Sequence, residues 1–124
     1  MAVITPTKLP VNDTGKVEVW KWASVANGDT CAKVYCGSRT DKTVSHHGTD
    51  DGGTLAFQGS LDPSDTETYV TLTDVAKTAL TGLATPEVMY EILQNCYWLK
   101  PVLTGGGAGT NLDIYLMMTR AGSM

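Results

Sequence analysis

His46, His47, Asp50 and Asp51 are the residues whose types come nearest to a metal-ligating or acid–base set. Consecutive side chains on an extended chain point to opposite sides, so the two adjacent histidines are poorly placed to share one ion. Their spacing matches neither His-Glu-x-x-His nor a calcium-loop pattern, and a solvated loop accounts for them. These are the two histidines of the chain, so a histidine-assisted nucleophile would have to use them. Ser45 is adjacent but lacks the glycine-flanked elbow that exposes a catalytic serine. Cys31, Cys36 and Cys96 become nucleophiles only if a histidine lies near them in space. Cys31 and Cys36 are too few and too oddly spaced for a zinc site, and an odd number of cysteines leaves one thiol over after any single bridge. Free thiols, packed as small hydrophobes in a reducing compartment, are the simplest reading.

Two further patterns invite chemistry and lack its parts. Residues 105–110 read Gly-Gly-Gly-Ala-Gly-Thr. A phosphate loop ends in Gly-Lys-Ser/Thr, and no lysine stands here. A dinucleotide fingerprint needs a following helix, whereas an alternating strand follows. The pairs Asp50/Asp51 and Glu87/Glu91 are explained by solvated polar faces. The expectation is therefore a protein without catalytic residues, metal or cofactor.

These residues must be carried by strands. Asn111 to Thr119 alternates most cleanly, with Leu112, Ile114, Leu116 and Met118 on one face. Thr54 to Ser60 places Leu55 and Phe57 together, and residues 69–73 and 95–103 also read as strands, the last interrupted by Pro101. In residues 16–25, Val17 and Val19 share one face and Glu18, Trp20 and Trp22 the other; two tryptophans two residues apart need covering by a second sheet or another chain. Asn27-Gly28 suits a tight hairpin turn, with residues 31–36 as the return strand. Residues 37–53 are the most polar stretch, either a long exposed loop or a short edge strand around residues 42–45. Asp74 could cap a short helix over 75–80, and Thr85-Pro86-Glu87 resembles a helix start, with a strand through 88–92 as the alternative. Pro6 and Pro10 keep residues 1–14 out of a central strand. The expected architecture is mainly β: an antiparallel β-sandwich or barrel-like domain over 15–124 with at most one or two short helices, preceded by an extended N-terminal arm, 1–14.

Length and charge narrow the partners. A chain of 124 residues makes one domain, exposing roughly 6,400 Å² when folded. Nine basic and thirteen acidic residues give a net charge of -4, and neither half shows a basic patch. Direct nucleic-acid or membrane-surface binding is not expected, although Lys33, Arg39 and Lys42 could still gather in the fold. No apolar run is long enough to span a bilayer, and the N-terminus lacks a signal-peptide layout.

The second half carries a family texture. It runs Leu55-Ala56-Phe57-Gln58-Gly59-Ser60-Leu61-Asp62, then Tyr69-Val70-Thr71-Leu72. Tyr97-Trp98-Leu99-Lys100-Pro101-Val102-Leu103-Thr104-Gly105-Gly106 and Leu112-Asp113-Ile114-Tyr115-Leu116 follow. Over about residues 54–119 this resembles small β-rich virion proteins of tailed bacteriophages, including capsid decoration (cement) proteins. Sandwich modules that bind sugars have a similar texture. The resemblance implies a virion structural protein, made in the host cytoplasm and placed on the capsid surface. It implies as partners the major capsid protein and further copies of the chain, with a homotrimer favoured. A tail, neck or fibre component, or a carbohydrate-binding module, is the alternative. Interface candidates are Val3, Ile4, Leu9, Trp20, Trp22 and Tyr35, each equally suited to a core.

Overall fold

The alternation that marks Asn111–Thr119 places this strand, β11, at the centre of the larger of two sheets. A computed structural model describes residues 2–12, 15–37, 39, 41–83 and 88–119. Its strands in chain order are β1 (Val3–Ile4), β2 (Thr7–Leu9), β3 (Val17–Val25), β4 (Thr30–Cys31), β5 (Val34–Tyr35) and β6 (Asp41–Thr49). They continue with β7 (Thr54–Ser60), β8 (Val70–Thr71), β9 (Tyr90–Ile92), β10 (Trp98–Thr104) and β11. One sheet has the order β2-β3-β11-β6-β9, the second β5-β10-β7-β8, and β1 and β4 form a small parallel pair. The fold is all-β, and the sheets do not close into a barrel. The described residues contain no helix, hence none long and apolar enough to cross a membrane.

The core is the space between the two sheets. Val44, Leu112, Ile114, Leu116 and Met118 enter it from the larger sheet, and Val34, Leu55, Phe57 and Leu99 from the smaller. Strand β3 adds both Trp22 and Val25, which strict alternation would not allow. The register explains it: Leu112 faces Val25 but Ile114 faces Trp22, so β3 carries an extra residue. Ser24 takes a positive φ there, and its N–H donates to Asp113 Oδ1 at 2.9 Å. This bulge turns two large side chains inward within four residues.

Pro101 fits within β10 for an identifiable reason. It faces Phe57, whose N–H donates to Leu80 O and whose carbonyl accepts from Leu72. Phe57 thus spends its backbone groups on the side away from β10. The Pro101 nitrogen accordingly points to the other edge of β10, where β5 reaches only Trp98 and Leu99. The missing donor costs no ladder bond.

Three expectations need correction. Residues 31–36 do not return against β3. The turn forms, with Asp29 N donating to Ala26 O, but β4 pairs with β1 and β5 with β10, so the chain crosses to the other sheet. Both flanks of β3 are already occupied, by β2 and β11. Residues 41–49 are neither loop nor short edge but a nine-residue strand between β11 and β9. Its inward side carries Lys42, Val44 and His46, all buried, and two polar residues at core positions conceal its period. The segment after Asp74 is a tight hairpin, not a helix. Asp74 Oδ1 accepts from Ala76 N and Thr78 N, Lys77 adopts φ 67°, and Thr73 bridges Ala79. The helix start at residues 85–87 lies outside the described residues.

The first residues run extended and use this chain's own backbone. Val3 and Ile4 align with Thr30 and Cys31, and residues 7–9 pair with 19–21. Asp29 anchors the entry by accepting from Ala2 N at 2.9 Å.

Candidate functional site

The residues expected to meet a partner are divided by the fold. Trp22 is wholly buried, and its Nε1 donates to Ala32 O at 2.8 Å, so it has no surface to offer. Trp20 and Ile4 are half-buried against the core, and Trp20 Nε1 donates to Glu18 Oε1. Leu9 is half-buried beside Val19. Val3 and Tyr35 are exposed, at 69% and 48%, but they stand on β1 and β5, in different sheets. The six do not form one face. The three cations do not gather either: Lys33 pairs with Asp65, Arg39 with Glu18, and Lys42 turns into the core. Across β6, His46 is buried while His47 is exposed with its ring against Tyr115. Among the described residues no group of His, Cys, Asp or Glu is arranged to hold a metal.

The structure instead builds a cavity of about 570 Å³ where β7 ends, β8 begins and the chain approaches β10. Gly59, Leu72 and Cys96 line it deep down, and Leu61 and Val70 stand at its mouth, 76% and 68% exposed. Gly59 packs closely there: a Cβ would lie 3.0 Å from both Cβ and Sγ of Cys96. Gln94 fixes one wall by accepting from Thr73 N at 2.8 Å and donating to Thr73 Oγ1 at 2.6 Å.

Asp62 organises the opposite wall. One carboxylate oxygen accepts from Ser64 N and Oγ, the other from the backbone N–H groups of Thr66 and Glu67 and from Thr66 Oγ1. The hydroxyls of Ser64 and Thr66 and their N–H groups hold this carboxyl well below the usual carboxylate range. Its backbone oxygen accepts from Trp98 Nε1 at 3.0 Å, tying the loop to β10.

The outer side of the smaller sheet carries an aromatic cluster. The Tyr35 ring meets Tyr97 and Trp98 edge-on at 4.9 and 5.9 Å between centroids. Lys33 Nζ lies 4.7 Å from the Trp98 ring centre and 2.5 Å from Asp65 Oδ2. Asp65 also accepts from the Tyr69 hydroxyl, and Lys100 caps the Tyr69 ring. Lys33 and Tyr69 lower the Asp65 pKa, while burial and then Asp65 raise that of Tyr69.

Beneath the cavity lies a buried polar group. Cys36 follows β5, Cys96 precedes β10, and Cys36 N donates to Tyr97 O at 2.8 Å. The two thiols interact, and Lys42 lies near both, its Nζ 3.4 Å from Asn95 Oδ1. All three cysteines are free and buried. Burial pushes the Cys31 thiol up to about 12. Cys96 moves the other way, lowered by the Cys36 thiol and then by the Lys42 charge against the opposing effect of burial. Cys36 is raised by Cys96 and by burial. Nothing local in the sequence signals that Cys36, Lys42 and Cys96 meet.

These features define an open two-sheet β-sandwich with an apolar pocket at one end. No family model and no curated protein matches the sequence. The fold is similar to the crystal structure of the SPBc2 prophage-derived protein YomS, with a TM-score of 0.57 and 9% identity. The likeness covers 89% of this chain and 97% of that one. At that identity it is the fold that is shared.

Proposed function

We propose that the chain is a structural protein of a tailed-bacteriophage virion that decorates and stabilises the assembled capsid. The observation that carries the reading is the shared fold: nearly the whole of a prophage-derived protein superposes on this sandwich. The strand texture of residues 54–119 supports it independently, because those residues form β7 to β11. Such a role needs adhesive surface and no catalytic group. Leu61, Val70 and Met89 supply large apolar side chains at 76%, 68% and 75% exposure. The partners in this reading are the major capsid protein and two further copies of the chain, around a symmetry axis of the shell.

The test is quantitative mass spectrometry of density-purified particles of the encoding phage, with light scattering of the purified chain at two concentrations in reductant. Decoration predicts a fixed ratio to the major capsid protein, comparable to the number of capsomers, and a trimer or a monomer that binds shells. A few copies per particle would move the chain to the tail, neck or fibre. Absence from particles would end the virion reading.

The cluster of Tyr35, Tyr97 and Trp98 favours one second reading, a sugar-contacting component. That reading requires glycan-dependent quenching of tryptophan fluorescence, which the decoration role does not produce.

A further inference from the structure

We propose that Cys36 and Cys96 form a reversible disulfide, with Cys96 as the thiol oxidised first and Cys36 as the one that resolves it. The pair is assembled by the β5–β10 ladder. Tyr35 faces Trp98, and Cys36 N bonds to Tyr97 O, so Cys36 lies one residue from the position facing Cys96. The two thiols hydrogen-bond one another beneath the cavity, the contact from which a bridge would form. Both side chains belong to one buried cluster. The third cysteine, Cys31, lies in β4, in the separate β1–β4 pair and outside the β5–β10 ladder.

Access and reactivity are unequal. Cys96 lines the cavity of about 570 Å³, which is roomy enough for a small oxidant, whereas Cys36 is wholly buried behind it. The Cys36 thiol, and then the Lys42 ammonium group near the two sulfurs, favour the thiolate at Cys96 against the opposing effect of burial. With a peroxide as oxidant, the Cys96 thiolate attacks one peroxide oxygen. The O–O bond breaks, hydroxide leaves, and Cys96 becomes a sulfenic acid. The Cys36 sulfur then attacks the Cys96 sulfur, the S–O bond breaks, and the Cys36 proton leaves with the hydroxyl as water. In total, two thiols and one hydrogen peroxide give one disulfide and two waters. A thiol reductant reverses the product by exchange. The bond would staple the approach to β10 onto the end of β5, beside the Trp98–Asp62 contact. The chemistry does not depend on the proposed function. If the chain is a virion protein, the bond would form as particles leave a reducing cytoplasm for an oxidising medium.

The test treats the purified full chain with hydrogen peroxide, quenches, alkylates under denaturing conditions and maps peptides by mass spectrometry. The expected product has lost two hydrogens, carries a Cys36–Cys96 linked peptide, keeps Cys31 alkylated, and returns to three alkylated thiols after reduction. Cys36→Ser should stop at a sulfenic acid on Cys96, trapped by dimedone, and Cys96→Ser should leave Cys36 alkylated. Lys42→Met should slow the loss of the Cys96 thiol about threefold, since a higher thiol pKa removes thiolate but leaves a better nucleophile. Three alkylated thiols in the treated wild type, a bridge that includes Cys31, or Cys96 oxidised to sulfinic acid with Cys36 still alkylated would each overturn the proposal.

Discussion

Asp62 shows how much one half-buried carboxylate can organise. Five donors from three residues converge on its two oxygens, and they shape both the cavity wall and the seat of Trp98. These bonds favour the charged form, so folding lowers the Asp62 pKa. Between the folded and unfolded values the unfolded chain binds more protons, and stability rises with pH. The contribution is complete above the unfolded carboxylate value of about 4 and is lost as pH falls through the lower folded value. Asp29 and Asp65 are shifted in the same direction. The melting temperature of the wild type should therefore fall steeply below about pH 4, and Asp62→Asn should flatten but not abolish that slope. Equal slopes for the two proteins between pH 2 and pH 4 would show that the Asp62 loop does not drive the acid transition.

At the scale of elements, legibility followed periodicity. Strands β7 and β11 have the bounds that their alternation implies, because one face of each meets the core and little else competes. Strand β6 was hidden because Lys42 and His46 occupy inward positions that a reader reserves for apolar side chains. Strands β4 and β5 depart from the expected hairpin because turn chemistry does not say which sheet the chain joins next. The thiol pair escaped for a related reason: its members meet through long-range strand pairing, which has no local signature. Strand β6 also contains a test of register. Gly48 faces Leu112 with φ 118°, and a Cβ there would run into the Asn111 carbonyl oxygen. Gly48→Ala should cost about 3 kcal/mol through strain and displacement of β11. Gly52 also has a positive φ but open space around it, so Gly52→Ala should cost only about 1 kcal/mol. Urea midpoints compare the two, and equal losses would mean that the β6–β11 approach is not tight at Gly48.

For the whole molecule, the question is which apolar groups serve folding and which remain for partners. The accessible surface is 6676 Å², close to the roughly 6,400 Å² of a folded monomer of this size. The two sheets thus cover their core without help from another chain. Trp22, an interface candidate by sequence, is spent on that core, so Trp22→Ala should cost about 3–5 kcal/mol in stability. Leu61 and Val70 have the opposite standing: they flank the cavity mouth, are largely exposed, and contribute little to the core. A Leu61→Asp/Val70→Asp variant should keep the wild-type unfolding free energy within about 0.5 kcal/mol. On the proposed function, the same variant should lose binding to capsid shells, because charge at the mouth must be desolvated when a partner covers it. Co-sedimentation with shells and urea unfolding, run on the same preparations, separate the two effects. A variant that is as stable as the wild type and binds shells as well would remove this end of the sandwich from the interface and shift attention to Val3, Tyr35 and Met89.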